Sequence, residues 1–372
     1  MTATGWARLA AGWASVLVFF VFGEAWLADL SSPVRYGGLF LWIFAVTLWS
    51  ASGVIEHADH LAERLGEPLG TLILTFSIVL IEVILISAVM LGDKAAPTIG
   101  RDAMFSVMMI ILNGVVGLSL LIGGWRHHEQ SYNLQGAAAY LGVMIPLAVI
   151  ALVLPNLTTS TPDGTLTTVQ AIAFSTFTVL LYGVFLAIQT GRHRAFFQDP
   201  TSPDAEPSAV TGAHGGVVPA SLGEIAQETV LLVLNILPIV LLSKSLTTLI
   251  DHGIVVTGAP VALTGMLIAA VVFTPEGGSA LKAAYANDLQ RAMNLCLGAF
   301  VSTIGLTLPA VLTIGLITGQ PVLLGLEPSH IALLAVTLIL STLTFSGPRT
   351  TILEGAVHLM VFFVYVTLLF SP

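Results

Sequence analysis

The sequence predicts an all-α polytopic membrane protein with about eleven transmembrane helices: one N-terminal helix, then two inverted five-helix repeats. Three observations predict it. Charged residues make up only 9% of the 372 residues, against roughly a quarter in soluble domains. Hydrophobic residues make up 56%, and the mean hydropathy is +0.94. The apolar residues also fall into runs long enough to cross a bilayer, which takes about 20 residues as a helix. A net charge of −9 removes the basic face that a nucleic-acid partner requires. The single cysteine, Cys296, excludes an intramolecular disulfide or a cysteine-based metal cluster.

The predicted spans, in order, are 9–30, 36–55, 68–91, 104–124, 134–155, 166–190, 225–250, 255–281, 293–316, 330–345 and 350–370. The first resembles a signal peptide because Arg8 precedes it. Glu24 and Asp29 interrupt its end, however, and no small-residue cleavage site follows, so it is kept as a helix. Eight Lys and Arg fall on the side of the N-terminus against three opposite, which places the N-terminus in the cytoplasm. The connection 191–223 holds four Pro and five Gly and reads as a flexible cytoplasmic linker. The chain therefore divides into an extra helix (1–33), a first repeat (34–190), the linker (191–223) and a second repeat (224–372). Five spans per repeat is an odd number, which inverts the second repeat relative to the first.

The two repeats echo each other around glutamates. Gly66-Glu67-Pro68 precedes Glu82 by 16 residues and Gly258-Ala259-Pro260 precedes Glu276 by 18, counted from each glycine. Glu82 lies between apolar runs, near the middle of its span. A bare carboxylate there costs at least ~2.5 kcal/mol, so it must be protonated, paired or wet. Glu276 follows Pro275, which lacks an amide hydrogen, and precedes Gly277 and Gly278. The expectation is a loosened helix with freed carbonyls beside the carboxylate, a setting that suits hard cations such as Ca²⁺ and Na⁺. Asn113 and Ser302, in the spans that follow each glutamate, offer neutral oxygens. If protons and a cation compete for the same carboxylate oxygens, one site carries either cargo but not both.

These residues resemble the calcium/proton exchanger (CAX) family of the cation/calcium exchanger superfamily, most closely its bacterial calcium or sodium/proton antiporter branch. The resemblance rests on His57-Ala-Asp-His60, Leu65 through Thr75, Ile81-Glu82-Val83, Phe273 through Gly278, Asn287 through Gln290, and Asn294 through Pro309. It implies a secondary antiporter in which Glu82 and Glu276 are the central cation and proton carboxylates, with Asn113 and Ser302 nearby. It implies Ca²⁺ and H⁺ as cargo, with no cofactor, in a bacterial inner membrane. One departure bears on selectivity. The family's usual Gly-Asn, four and three residues before each glutamate, reads Ile78-Val79 and Val272-Phe273 here. Calcium stands first as the cargo, with sodium or potassium next.

Other residues carry readings of their own. His57 and His60, three apart on one helix face, suit a metal pair, a proton relay or an interfacial anchor. Glu67 suits either a helix-dipole cap or an entry path for cations. Glu224 and Glu228 read as a solvated helix start or an acidic vestibule, Lys244 as a snorkelling side chain or, second, the partner of an acid, and Glu354 with His358 as a local pair. No Gly-x-x-x-x-Gly-Lys motif is present, which argues against an ATP-driven pump. An intramembrane metallohydrolase using His57 and His60 is a remote alternative, and a glutamate-selective channel is another. Homo-oligomerisation is left open by the sequence.

Overall fold

The computed structural model describes residues 2–66, 69–92, 96–161, 164–198 and 222–371. Glu67, Lys94 and most of the predicted linker lie outside the described residues. Among the described residues eleven long helices follow one another: α1 (Ala3–Leu27), α2 (Pro33–Leu65), α3 (Leu69–Met90), α4 (Ile99–His127), α5 (Leu134–Leu152), α6 (Thr168–Thr190), α7 (Leu222–Thr257), α8 (Ala262–Tyr285), α9 (Leu289–Thr318), α10 (Pro328–Thr344) and α11 (Ile352–Phe370). Among the described residues ten of these are long and apolar enough to cross a membrane, and α10 is a shorter apolar helix. This is the predicted set of spans, element for element.

Local chemistry explains where most helices begin. Asn133 Oδ1 accepts from the Gln135 and Gly136 amides at the start of α5, and Asp288 Oδ1 accepts from the Arg291 amide at the start of α9. Thr167 with Gln170 and Thr351 with Glu354 form reciprocal capping boxes that open α6 and α11. Prolines at the first turns open α2 and α10.

The chain folds as two compact units, each drawing on both halves of the sequence. One unit comprises Met1–Ile99 with His214–Pro275, the other Gly100–Ala213 with Glu276–Pro372.

In the first unit, α2 packs along both α3 and α7, and α1 lies against α7 and α2. Indole groups tie α1 down: Trp13 Nε1 donates to the Leu234 carbonyl (3.2 Å) and Trp42 Nε1 to Ser15 Oγ (2.9 Å). Phe19, Trp26 and Trp42 pack ring to ring. Helices α2 and α7 have 33 and 36 residues, well beyond the ~20 that a bilayer needs. The predicted spans stop at Ile55 and start at Ile225, because the sequence turns polar there. Both helices nevertheless continue, since their polar ends find partners on one another and on α1. Arg8 Nη2 meets Glu56 Oε2 at 2.7 Å and Arg64 Nη1 meets Glu224 Oε2 at 2.8 Å. Before α2, Ser31 donates from its hydroxyl (2.7 Å) and amide (3.2 Å) to the Asp29 carboxylate. These bonds, with Arg35 alongside, hold that carboxyl below the usual carboxylate range.

In the second unit, α4 packs along α11. The approach is close enough that a Cβ on Gly355 would lie 2.4 Å from the Leu121 amide nitrogen and 2.7 Å from the Gly117 carbonyl oxygen. Small residues permit such crossings where hydrocarbon surrounds the helices. A short antiparallel pairing, Gln130–Ser131 with Arg349–Thr350, joins the connection after α4 to the one before α11. Beside it the Tyr132 hydroxyl donates to the Gly347 carbonyl. Burial, with Glu354 nearby, pushes the phenol up to about 12.

Candidate cation and proton site

Glu82 sits in α3 with no exposed surface (0%), walled along its own helix by the buried Ile78, Val79, Ile81, Leu85 and Ile86. The nearest hydroxyls along the helix turn back on it: Ser77 Oγ donates to the Ile73 carbonyl, and Ser87 Oγ to that of Val83. The sequence places Glu82 at mid-span, and the structure buries it there.

Glu276 sits in α8 and is 6% exposed. Here the structure corrects an expectation. Pro275, Gly277 and Gly278 do not unwind the helix, which runs α-helical from Ala262 to Tyr285. One proline removes a single amide donor, that for the Val271 carbonyl, and the turns on either side bridge the gap. Cys296 of α9 lies close enough to Glu276 to feel its charge.

Unwinding appears instead on α4 and α9. Residues Met109–Val115 of α4 and Thr303–Thr307 of α9 adopt the wider π-helical turn. Asn113 lies inside the first, and Ser302 immediately precedes the second. Such turns shift the backbone register and recur at functional sites. Both residues are buried. Ser302 Oγ donates to the Ala299 carbonyl (2.9 Å), which leaves its oxygen able to accept or to coordinate. Asn113 belongs to a network within this unit. Its Nδ2 donates to Thr337 Oγ1 (2.8 Å). Its Oδ1 lies 3.2 Å from His358 Nδ1, and His358 Nε2 lies 3.0 Å from Thr344 Oγ1. With Asn113 Nδ2 spent on Thr337, Oδ1 is the acceptor, so His358 carries its proton on Nδ1 and Thr344 donates to Nε2.

Glu354 and His358, read from sequence as a local pair, feel each other's charge across one turn of α11, while Glu354 Oε2 also accepts from the Thr351 amide (2.9 Å) and hydroxyl (2.6 Å) as a helix cap. The sequence reading missed Thr337, Ser341 and Thr344, all buried on α10. Their signal is a row of hydroxyls at helical spacing within an otherwise apolar span.

His57 and His60 both meet Glu228 of α7, His57 from a buried position and His60 from an exposed one. His57 Nδ1 is 2.7 Å, and His60 Nδ1 3.5 Å, from the same oxygen, Glu228 Oε2. Glu224, with its side chain 54% exposed in the first turn of α7, is a solvated helix start that pairs with Arg64, whereas Glu228, at 12%, is drawn in against the α2 imidazoles. Lys244 is exposed on α7, as a snorkelling side chain would be. Glu67, expected as an accessory residue, lies outside the described residues.

Known proteins resemble the chain over most of its length. The pattern of the family described as sodium/calcium exchanger protein matches residues 36–191 and 228–371. The sodium-potassium/proton antiporter ChaA of Escherichia coli is 39% identical over 332 residues, covering 87% of this chain and 86% of that protein. A putative ionic transporter, y4hA, of Sinorhizobium fredii is 39% identical over 319 residues, covering 86% and 84%. Among solved structures, native YfkE superposes with a TM-score of 0.74 at 18% identity, covering 99% of this chain and all of that one (100%). The H⁺/Ca²⁺ exchanger CAX superposes at 0.68 and 13%, covering 98% and 89%. These structures share the fold, and the relatives of higher identity are transporters, which removes the metallohydrolase reading of His57 and His60. With its pattern matched across both halves, the chain belongs to the sodium/calcium exchanger protein family.

Proposed function

We propose that this cation antiporter exchanges H⁺ for Na⁺ or K⁺ across a bacterial inner membrane, with the N-terminus cytoplasmic, by alternating access of the two inverted repeats 34–190 and 224–372. Glu82 and Glu276 carry either protons or the cation. Asn113 and Ser302 add neutral oxygens, and Pro275 and Gly277 set the backbone around Glu276. No cofactor is required, since the transported ion is the substrate.

One observation carries the choice of cargo. The residues one turn before each glutamate, Ile78 with Val79 and Val272 with Phe273, are apolar and buried. They supply no side-chain oxygen at either place, whereas Ca²⁺ takes six to eight oxygen ligands. A poorer oxygen shell favours an ion with a smaller dehydration cost. The 39% identity to a sodium-potassium/proton antiporter supports the same reading. Calcium is the second reading. Two carboxylates suit a divalent charge, and a Ca²⁺/H⁺ antiporter of Aphanothece halophytica is 24% identical over 259 residues.

The coupling is competitive. An apolar surround disfavours a bare carboxylate, so each glutamate is occupied by a proton or shares a cation, and loading one cargo expels the other. The test uses proteoliposomes with an internal pH dye and an imposed pH gradient, to which Na⁺, K⁺ and Ca²⁺ are added in turn. Collapse of the gradient by Na⁺ or K⁺, lost in Glu82→Gln and in Glu276→Gln, is the expected result. Collapse by Ca²⁺ alone keeps the mechanism and changes the cargo. No response to any cation overturns the antiport reading.

A further inference from the structure

The polar end of the first unit holds a cluster that cation–proton exchange at the two glutamates does not use. His57 and His60 project from the last turns of α2, and Glu228 projects from the start of α7. One ligand atom from each residue lies within 4.8 Å of the other two. His57 Nδ1 and His60 Nδ1 converge on one oxygen, Glu228 Oε2, at 2.7 and 3.5 Å. Tetrahedral zinc, with bonds of roughly 2.0–2.2 Å, separates its ligand atoms by roughly 3.3–3.5 Å. The cluster reaches that spacing if the short contact opens by well under an ångström and the wider ones close. Ligands three residues apart on one helix, completed by a carboxylate from a facing helix, recur in metal-binding helical bundles.

The surroundings suit an ion with one water ligand. The His57 side chain is 4% exposed and that of Glu228 12%, so two ligands are held in protein, while His60, at 45%, opens the third side to solvent. The neighbouring charges are already matched: Arg8 pairs with Glu56, and Arg64 with Glu224. Among the described residues Glu228 forms its ion pairs with the two imidazoles and with no lysine or arginine. The bond between His57 and Glu228 holds a proton where a metal would sit, so binding releases it.

We infer that His57, His60 and Glu228 form a binding site for a divalent transition metal of the Zn²⁺ class, separate from the transported cation and clamping α2 to α7. Two imidazoles and one carboxylate select Zn²⁺, Co²⁺, Ni²⁺ or Cu²⁺. Ca²⁺ and Mg²⁺ prefer shells made wholly of oxygen. The clamp joins the ends of the two long helices where they extend beyond the bilayer-crossing length.

The test uses the full-length protein, without a histidine tag, purified in detergent and stripped with a chelator. Co²⁺ is titrated while the visible absorption of tetrahedral Co²⁺ is followed, then displaced with Zn²⁺. Thermal unfolding is measured with and without Zn²⁺, since a ligand specific to the folded state raises the midpoint. One Co²⁺ per chain is expected, displaced by Zn²⁺ and indifferent to a large excess of Ca²⁺. His60→Ala and Glu228→Gln should each weaken binding about tenfold or more, with helical circular dichroism retained. Glu82→Gln/Glu276→Gln should bind as the wild type does. Undiminished binding in both His60→Ala and Glu228→Gln overturns the site. So does an octahedral, water-like Co²⁺ spectrum. Loss of binding in Glu82→Gln/Glu276→Gln overturns it too, by placing the metal with the cargo.

Discussion

His358 on α11 holds Asn113 on α4: the imidazole Nδ1 lies 3.2 Å from the amide oxygen, within a π-helical turn and with both side chains fully buried. Asparagine oxygens make useful cation ligands only when the amide cannot rotate. Here Thr337 takes the amide nitrogen and His358 takes the oxygen, so rotation costs two hydrogen bonds. One of the two lone pairs on Oδ1 is left for another partner. His358→Ala should therefore raise the half-saturating cation concentration by about tenfold, equivalent to roughly 1.4 kcal/mol, with a smaller loss of maximal rate. Dye-loaded proteoliposomes measure both quantities. Equal effects on both would mean that His358 does not position the amide.

The same substitution leaves the Thr344 hydroxyl and the Asn113 amide short of a partner, and it opens a cavity between α4, α10 and α11. A cost of about 2–4 kcal/mol is expected. Thermal unfolding in detergent checks it, and His358→Gln should recover part of the loss.

Glu82→Gln and Glu276→Gln should separate function from folding. Each replaces an acid with an amide of the same shape and removes the cost of desolvating a carboxylate. The unfolding midpoint should stay level or rise in both variants, while cation-driven proton movement disappears. A fall of several degrees would assign the glutamates a structural role.

Gly355→Ala should destabilise the second unit, because the added carbon meets main-chain atoms of α4 at 2.4 and 2.7 Å, and backbone cannot rotate aside. The expected cost is about 1–3 kcal/mol. Gly142→Ala is the control. It has nothing within 4 Å of the new carbon and lies inside α5, so helix propensity predicts a neutral or stabilising change.

Tyr132 sets an alkaline limit. Its phenol moves from 10.0 to about 12 on folding, so the folded state keeps the proton longer than the unfolded one. That contribution to stability is complete below pH 10 and is lost as the pH rises through about 12. The unfolding midpoint of the wild type should fall across this window, and Tyr132→Phe should fall less steeply. At neutral pH Tyr132→Phe should cost about 0.5–1.5 kcal/mol for the hydrogen bond to Gly347.

The helices themselves were legible because bilayer thickness converts directly into a run of apolar residues. Glu82 and Glu276 were legible for the converse reason: an acid inside such a run stands out against its neighbours. The ends of α2 and α7 were not. Residues from Glu56 to Arg64 look like a loop by polarity, yet they continue a helix because Arg8, Glu224 and Glu228 meet them from elsewhere in the chain. The glycines and proline around Glu276 suggested an unwound segment. Proline removes only one hydrogen bond, however, and the α-helix continues through it.

By itself the sequence determined the class of protein and the number and order of its apolar helices. Each of these follows from local hydrophobicity along the chain. Only the tertiary structure decided that Asn113 is locked by His358 and Thr337, that π-helical turns fall at Asn113 and after Ser302, and that His57 and His60 share Glu228. The bonds from Asn113 to Thr337 and His358 span 224 and 245 positions, and that from His57 to Glu228 spans 171. No local pattern specifies which faces meet, because the apolar surface of one membrane helix resembles that of any other. The choice is made by close packing and by the requirement that buried polar groups find partners.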